Sequence, residues 1–256
     1  TFARSVASRN WEPVTVVAPP RNESSIRRSV PRYHPRMRER WLSRSVLPRL
    51  PGLLLGLVVF GLGIALMARA GIGLGPWEAL HQGISFRTGI PLGTVSILLG
   101  VPILALWWPL GERPGLGTLL NVVLIGTATN VGLVVFPTAS GTLPQLAMMV
   151  AGVLVIGAGS GLYLAADLGP GPRDGLMTGV HRRFGWSIRR ARTAIEVSVL
   201  VAAYVLGGTI GLGTVVFAFG IGPVVQVLLG VFDREGRISH RRELRLLEES
   251  PGTLGE

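Results

Sequence analysis

The sequence has no cysteine, no lysine and few charged residues. Without cysteine it can form no disulfide, no thiolate metal site and no cysteine nucleophile. Only 15% of its 256 residues are charged and 4 are histidine, so we expect neither a bound metal nor a cofactor. No grouping of side chains resembles a nucleophile with its base, and we therefore do not expect an enzyme.

Apolar residues and glycine dominate the composition. Hydrophobic residues make up 48% of the chain, 36 residues are glycine, and the mean hydropathy is +0.48. This balance is typical of a polytopic membrane protein, whose main partner is the lipid bilayer. Glycine within apolar runs lets transmembrane helices approach one another closely.

One long stretch of the chain occurs twice. Residues 56–136 align without a gap with residues 152–232, at a constant offset of 96. Within it, Gly-Pro-Trp-Glu at 75–78 returns as Gly-Pro-Arg-Asp at 171–174. Because both copies are long and apolar, the repeat predicts two related membrane bundles rather than a solenoid.

Six apolar runs predict an all-α, polytopic membrane helix bundle. Each run has about the 20 residues that a transmembrane helix needs. We assign residues 47–140 to a first membrane repeat and 141–232 to a second. The predicted spans lie near 51–69, 92–110 and 116–136 in the first repeat, and near 144–166, 191–207 and 211–231 in the second.

The arginines predict how the chain is oriented. With a cytoplasmic N-terminus and six spans, all arginines except Arg69 and Arg87 fall in or next to cytoplasmic segments. This bias predicts a multi-pass protein of the bacterial inner membrane with both termini in the cytoplasm. Arginines that flank apolar spans do not indicate nucleic-acid binding. Three spans per copy is an odd number, so we expect a 3+3 inverted repeat.

Both ends of the chain are polar. Residues 1–46 are rich in proline and arginine and have no apolar periodicity, which predicts a disordered basic tail. Residues 233–256 mix arginine with glutamate and are predicted to form a cytoplasmic C-terminal tail.

A short segment lies between the first two spans of each copy, at 75–89 and at 171–185. Each opens with Gly-Pro, which suits a first helical turn, and each ends in glycine. At about 12 residues, each is too short to cross the bilayer. We therefore expect a short half-helix in each repeat.

A polar stripe runs along both short helices. Glu78, Gln82 and Ser85 form it in the first copy, with His81 beside them, and Asp174, Thr178 and His181 hold the equivalent face in the second. The helices are either interfacial, with the stripe toward water, or half-helices inside the bundle, with the stripe lining a solute site. For the two acids, capping of the helix N-terminus is a further alternative.

Glu196 is an acid within the fifth apolar run. Arg192 lies four residues earlier, so the two can form an ion pair on one helix face. Glu196 is then either a boundary residue paired at the cytoplasmic surface or part of a proton- or cation-responsive site.

Two amides and three tryptophans complete the candidate residues. Asn130 and Gln226 occupy equivalent repeat positions, which predicts a paired polar element that either holds helices together or contacts a solute. The tryptophans are expected to be anchors at the membrane interface; they are Trp77, Trp107 and Trp108.

Several motifs resemble the YczE/YyaS/YitT-like bacterial membrane proteins, with the YczE branch most similar. They are ALMARAGIGLGPWEALHQGIS at 65–85, DLGPGPRDGLM at 167–177, RTAIE at 192–196 and LGGTIGLGTVVFAFGIGP at 206–223. In the first of these, Glu78 stands where aspartate is usual. The resemblance covers about 50–232 and implies an integral inner-membrane protein without an assigned activity. It carries over no catalytic or transport residues.

The leading hypothesis is a small-solute transporter or facilitator, of which a proton-coupled form is one version. The solute is unidentified and would bind between the short helices. The alternative is a non-transporting scaffold or regulatory partner that docks through its arginine-rich cytoplasmic face. The sequence is compatible with a homo-oligomer and does not specify one.

Overall fold

The computed structural model describes residues 46–233 and Gly236. The predicted tails, 1–46 and 233–256, lie outside this part of the chain except for Val46, Asp233 and Gly236. Nothing in the structure therefore bears on the prediction that the N-terminal tail is disordered.

The described residues form eight α-helices, preceded by a 3₁₀ turn at Leu47–Arg49, and they contain no strand. The prediction of an all-α bundle is therefore confirmed. In chain order the helices are α1 (Leu50–Ala70), α2 (Pro76–Thr88), α3 (Leu92–Leu110), α4 (Leu116–Val135), α5 (Thr142–Ala165), α6 (Pro172–Phe184), α7 (Ile188–Leu206) and α8 (Leu212–Phe232).

The helix boundaries follow the sequence repeat. The short helices α2 and α6 both have 13 residues, and they begin at prolines 96 positions apart. Helices α3 and α7 begin and end at the same offset, and α4 and α8 begin at it. Each short helix ends at a left-handed glycine, Gly89 with φ 73° and Gly185 with φ 69°, a conformation that glycine adopts without steric penalty.

Helices α1 and α5 pack against each other through glycine. A Cβ added at Gly56 would lie 2.6 Å from the backbone nitrogen of Tyr163, and one at Gly63 would lie 2.7 Å from that of Ile156. The contacts run in opposite directions along the chain, so these equivalent helices are antiparallel. Larger residues would separate the two backbones, which explains the small residues at this contact.

A loop of each half accepts a hydrogen bond from the other half. The Gly213 N–H donates to the Ile72 carbonyl at 2.9 Å, and the Gly117 N–H donates to the Leu168 carbonyl, also at 2.9 Å. Both bonds join equivalent pairs of repeat positions, with the roles of the two halves reversed. The short helices also pack against the opposite half: α2 lies against α7, and α6 lies against α3.

Among residues 46–233, five helical segments are long and apolar enough to cross a membrane. Helix α7, at the position of the predicted fifth span, does not meet this description, although its 19 residues match the length of α3. Its first turns carry Arg189, Arg190 and Arg192. The sixth span therefore stays a prediction. The five segments are Leu47–Ala70, Leu92–Leu110, Leu116–Val135, Thr142–Ala165 and Leu212–Phe232.

Candidate functional site

The two short helices begin inside the bundle. A Cβ added at Gly75, just before α2, would lie 2.8 Å from the Phe217 ring, and Gly171, just before α6, lies beside the side chain of Asn121. Phe217 and Asn121 are each five residues into their long helix, about 7 Å from its start at 1.5 Å per residue. Each preceding loop therefore turns back into the protein before its short helix starts.

An ion pair joins the first turns of the two short helices. The Arg173 guanidinium of α6 donates to Glu78 Oε1 of α2 at 2.5 Å. The Glu78 side chain is 3% exposed and the Arg173 side chain 28% exposed. The guanidinium carbon also lies 5.2 Å from the centre of the Trp77 ring, within the range of a cation–π contact. Trp77 and Arg173 occupy the same repeat position, so equivalent residues meet here.

Two opposing influences act on the carboxyl of Glu78. Burial raises its pKa, while the positive charge of Arg173 lowers it, and the net result is a pKa below the usual range. Glu78 is therefore a carboxylate at neutral pH. Its second oxygen, Oε2, is buried and has no hydrogen-bond partner among the residues that the structure describes.

His81 lies one turn after Trp77 on α2 and is 3% exposed. Burial, together with the nearby charge of Arg173, lowers the pKa of His81 to about 3. The imidazole is therefore uncharged at neutral pH, and the positive charge at this point comes from Arg173.

Asp174 stands beside the ion pair on the first turn of α6. The residue is exposed in accessible surface, but protein atoms crowd around its carboxyl. This desolvation raises the pKa of Asp174 above its usual value, although the charges of Arg173 and Arg192 act in the opposite direction. The Tyr163 hydroxyl lies 3.5 Å from Asp174 Oδ2.

Two further residues of the polar stripe bond to the protein itself. Gln82 is buried, and its Oε1 accepts from the Thr209 N–H at 2.8 Å, which ties α2 to the turn between α7 and α8. The Thr178 hydroxyl donates to the Gly175 carbonyl of its own helix at 3.1 Å. Neither contact reaches the Glu78–Arg173 pair.

Glu196 and Arg192 are in contact on α7. Arg192 Nε donates to Glu196 Oε1 at 2.9 Å, and the side chains are 56% and 35% exposed. This geometry agrees with the interpretation of Glu196 as a paired boundary residue. Of the two, Arg192 is the one that acts on the candidate site, through its charge near Asp174.

Asn130 and Gln226 do not contact each other in the part of the chain that the structure describes, and only Asn130 holds helices together, which is one of the two roles predicted for them. Asn130 accepts from the Gly93 N–H at 2.8 Å and donates to the Thr94 hydroxyl at 2.9 Å, so it fastens α4 to the start of α3. Gln226 is exposed on α8. The physical reason is that Arg189 stands where the first half has Gly93, and its side chain prevents an equally close approach of α7 to α8.

The tryptophans divide between interior and surface. Trp77 is 7% exposed and Trp107 is 1% exposed, so the expectation of interface anchors is wrong for both. Trp107 Nε1 donates to the Pro172 carbonyl at 3.0 Å and thereby holds the start of α6. Trp108 is 91% exposed, as an anchor would be.

Sequence reasoning missed Arg173 and Tyr163 as site residues. A signal for Arg173 existed, because the repeated motif has an aromatic residue, Trp77, in one copy and a cation, Arg173, in the other. A cation and an aromatic ring attract each other when they stack. Tyr163 had no such signal within its apolar run. Among residues 46–233, no group of three or more histidine, cysteine or acidic side chains could hold a metal ion.

The family of the chain follows from comparison with known proteins. A protein-family model described as a family of unknown function (DUF6198) matches residues 47–229. The chain belongs to this family. The match includes every helix described above except the last residues of α8.

Two curated relatives are similar over most of their length. A Haemophilus influenzae protein described as uncharacterized is 38% identical over 190 residues, which cover 74% of this chain and 87% of that protein. The uncharacterized membrane protein YczE of Bacillus subtilis is 34% identical over 177 residues, or 68% of this chain and 82% of that protein.

The Bacillus subtilis protein YyaS is similar at 27% identity over 192 residues, covering 73% of this chain and 96% of that protein. No solved structure matches the chain significantly. The predicted resemblance to YczE and YyaS is confirmed. Together with the five apolar helical segments, these findings make the chain an integral membrane protein.

Proposed function

We propose that this protein is a small-solute transporter of the bacterial inner membrane, with its solute site where α2 and α6 meet. The observation that carries the proposal is the ion pair of Glu78 and Arg173, which joins the starts of two short helices from opposite halves. Charged groups inside a membrane bundle are energetically costly and commonly mark substrate or ion pathways. Paired half-helices around such a site are a recurrent feature of secondary transporters.

The interfacial interpretation of the short helices fits the burial less well. An interfacial helix would turn its polar stripe toward water. On α2 the stripe is buried instead, since Glu78, His81 and Gln82 are 2%, 3% and 8% exposed. This supports a half-helix that enters the bundle for α2. On α6, Asp174 is exposed and Thr178 half-buried, and the ion pair to Glu78 supports the same placement for the start of that helix.

In the proposed membrane arrangement α7 is a sixth span and the halves are inverted. Its 19 residues reach about 28 Å, close to the thickness of the hydrocarbon core. The arginines at its start can extend their charged ends to the cytoplasmic interface while their stems stay in apolar surroundings. The antiparallel packing of α1 on α5 and the reciprocal loop bonds support an inverted 3+3 repeat.

Each short helix is also fastened at its far end. The Arg87 guanidinium donates to the carbonyls of Val205 and Leu206 at 3.0 and 3.2 Å, at the end of α7. Arg182 pairs with Glu112 at 3.0 Å, just after α3. In the proposed transport cycle these two contacts open alternately, so that the central site faces one side of the membrane at a time.

Asp174 is the proposed group for proton coupling. It is exposed and its surroundings raise its pKa, so it takes up a proton from water more readily than Glu78, whose pKa is lowered. The proposal includes no covalent chemistry, and the protein is not proposed to be an enzyme.

The proposal is tested by reconstituting the full chain in liposomes and screening small solutes for uptake. For a solute that enters, we expect Glu78→Gln and Asp174→Asn to reduce flux at least tenfold, while Gln226→Ala, at an exposed position on α8, leaves it unchanged. If both acid variants transport like the wild type, the site is wrong.

Deletion of residues 1–45 separates transport from the scaffold hypothesis. A transporter keeps its flux without this segment because the proposed site lies wholly within the helices. A scaffold that docks through the basic segment loses its cellular function on the same deletion, although the bundle still folds.

A further inference from the structure

Arg173 lies in a recess defined by two side chains of α2, Trp77 and Glu78. The recess consists of the Trp77 ring face and the Glu78 carboxylate, both on the first turn of α2, whereas Arg173 enters it from α6. An aromatic face beside a carboxylate is the combination that recognises an organic cation, through the ring quadrupole and a charge-assisted hydrogen bond. The recess therefore already holds a guanidinium group, supplied by the protein.

Arg173 uses only part of this recess. It contacts Glu78 through Oε1, while Oε2 is buried and has no hydrogen-bond partner among the described side chains and backbone. Trp77 Nε1 is likewise buried and has no hydrogen-bond partner among the described residues. A buried carboxylate oxygen without a donor is unfavourable, and a guanidinium placed freely donates to both oxygens at once.

A glycine lies directly beside the free oxygen of Glu78. A Cβ added at Gly75 would lie 2.5 Å from Glu78 Oε2, so any other residue there would crowd this oxygen. The repeat keeps glycine at both equivalent positions, Gly75 and Gly171. Near the recess, His81 is uncharged at neutral pH and does not repel a cation.

We propose that Trp77 and Glu78 form a binding site for a guanidinium-bearing solute and that Arg173 is its built-in competitor. This names the solute class of the proposed transporter and rests on the proposed function for the site's role in transport. The solute's guanidinium donates to both oxygens of Glu78 and stacks on Trp77. Arg173, attached to the opposite half and 28% exposed, then moves aside toward solvent and Asp174.

The binding test needs no transport. The full chain in detergent is titrated with methylguanidinium, and with methylurea as a neutral molecule of similar shape, while thermal unfolding is followed. A tethered side chain competes at a local concentration of about 1 mM, which weakens binding about tenfold if its own dissociation constant is about 0.1 mM; we therefore expect Arg173→Ala to bind methylguanidinium about tenfold more tightly than the wild type. At ten times the dissociation constant, the midpoint should rise by about 3–6 °C.

Glu78→Gln supplies the matched control, because it keeps the size of the side chain and removes its charge. In this variant and in Glu78→Gln/Arg173→Ala, methylguanidinium should give no rise beyond that of methylurea. An equal response to both molecules in Arg173→Ala, or a response that survives Glu78→Gln, would overturn the proposal.

If Arg173→Ala folds poorly, the proposal is tested on the wild type instead. The wild type should then still show a rise with methylguanidinium that exceeds that with methylurea and disappears in Glu78→Gln, and its absence contradicts the proposal. Flux is scored separately. If the wild type binds methylguanidinium selectively but does not take it up, the cation site stands and transport of this solute is refuted. If Glu78 is needed for uptake of another solute and no guanidinium binding is seen, only the cation class is refuted.

Discussion

Replacing Arg173 with alanine leaves the buried carboxylate of Glu78 without its partner. Glu78 is 2% exposed, and loss of one partner of a buried pair costs about 3–5 kcal/mol. Because Arg173 itself is 28% exposed, water already weakens the pair, so we expect the low end, about 3 kcal/mol, at neutral pH.

The defect should depend on pH in a defined direction. In the wild type the pKa of Glu78 is lowered on folding, so the acid contributes stability above its unfolded pKa and loses it as pH falls through the folded value. Without Arg173, burial dominates and the folded pKa lies above the unfolded one. Folding then favours the protonated acid, and ionisation destabilises the variant increasingly as pH rises through the folded pKa.

The size of the pH effect follows from what protonated Glu78 lacks. A neutral carboxyl has lost one hydrogen bond, worth about 1 kcal/mol, instead of the full penalty of an unpaired charge. The defect should therefore shrink by about 2 kcal/mol between pH 8 and pH 5. For a chain of this length that corresponds to about 4–8 °C in the unfolding midpoint.

The assay is thermal unfolding of the purified protein in detergent at both pH values. Four proteins are compared: the wild type, Arg173→Ala, Glu78→Gln and the double variant. The double variant corrects for the effect of Arg173 on Asp174, because it lacks the acid at position 78. The reasoning is refuted if Arg173→Ala is equally destabilised at both pH values, or if the double variant shows the same pH response.

Two pairs of substitutions test the packing. Gly175→Ala should destabilise by about 2–4 kcal/mol, because a Cβ there would lie 2.0 Å from the Trp107 ring and displace it. Gly230→Ala, whose added Cβ meets no described residue within 4 Å, should change stability by less than about 1 kcal/mol. Asn130→Ala should cost about 1–3 kcal/mol because it leaves a backbone N–H unpaired, whereas Gln226→Ala should stay within about 0.5 kcal/mol. Thermal unfolding midpoints measure all four, and equal effects within either pair contradict the assignment.

Much of the helix pattern could be predicted because its signals are local. Apolar length predicted the long helices, and Gly-Pro at the start with glycine at the end predicted the short segments 75–89 and 171–185. The structure has these as Pro76–Thr88 and Pro172–Phe184. These signals act through backbone conformation within a few residues, so they can be read from the sequence.

The central ion pair could not be predicted from the sequence. Glu78 and Arg173 are 95 positions apart, and their contact depends on how the two halves exchange their short helices. Each residue alone has an ordinary local explanation, since an acid suits the first turn of a helix. Their meeting is a property of tertiary packing.

The repeat also misled where its two copies differ. Asn130 and Gln226 are equivalent in sequence, but the amide of Asn130 reaches the backbone of α3 only because Gly93 lets that helix approach: a Cβ there would lie 1.9 Å from the Gly126 carbonyl. In the second half Arg189 replaces Gly93, and a Cβ at Gly222, the counterpart of Gly126, would meet nothing within 4 Å. A difference at the residue that the amide contacts therefore changed the contacts of the amide itself.

The most direct test is to measure on which side of the membrane each short helix ends. Single cysteines are introduced as Thr88→Cys and Phe184→Cys, at exposed positions where α2 and α6 end, in a chain that has no cysteine of its own. A membrane-impermeant maleimide is then added to sealed vesicles of either orientation. Half-helices that enter from opposite faces predict labelling of position 88 from outside the cell and position 184 from the cytoplasm. Labelling of both positions from the same side would contradict the account.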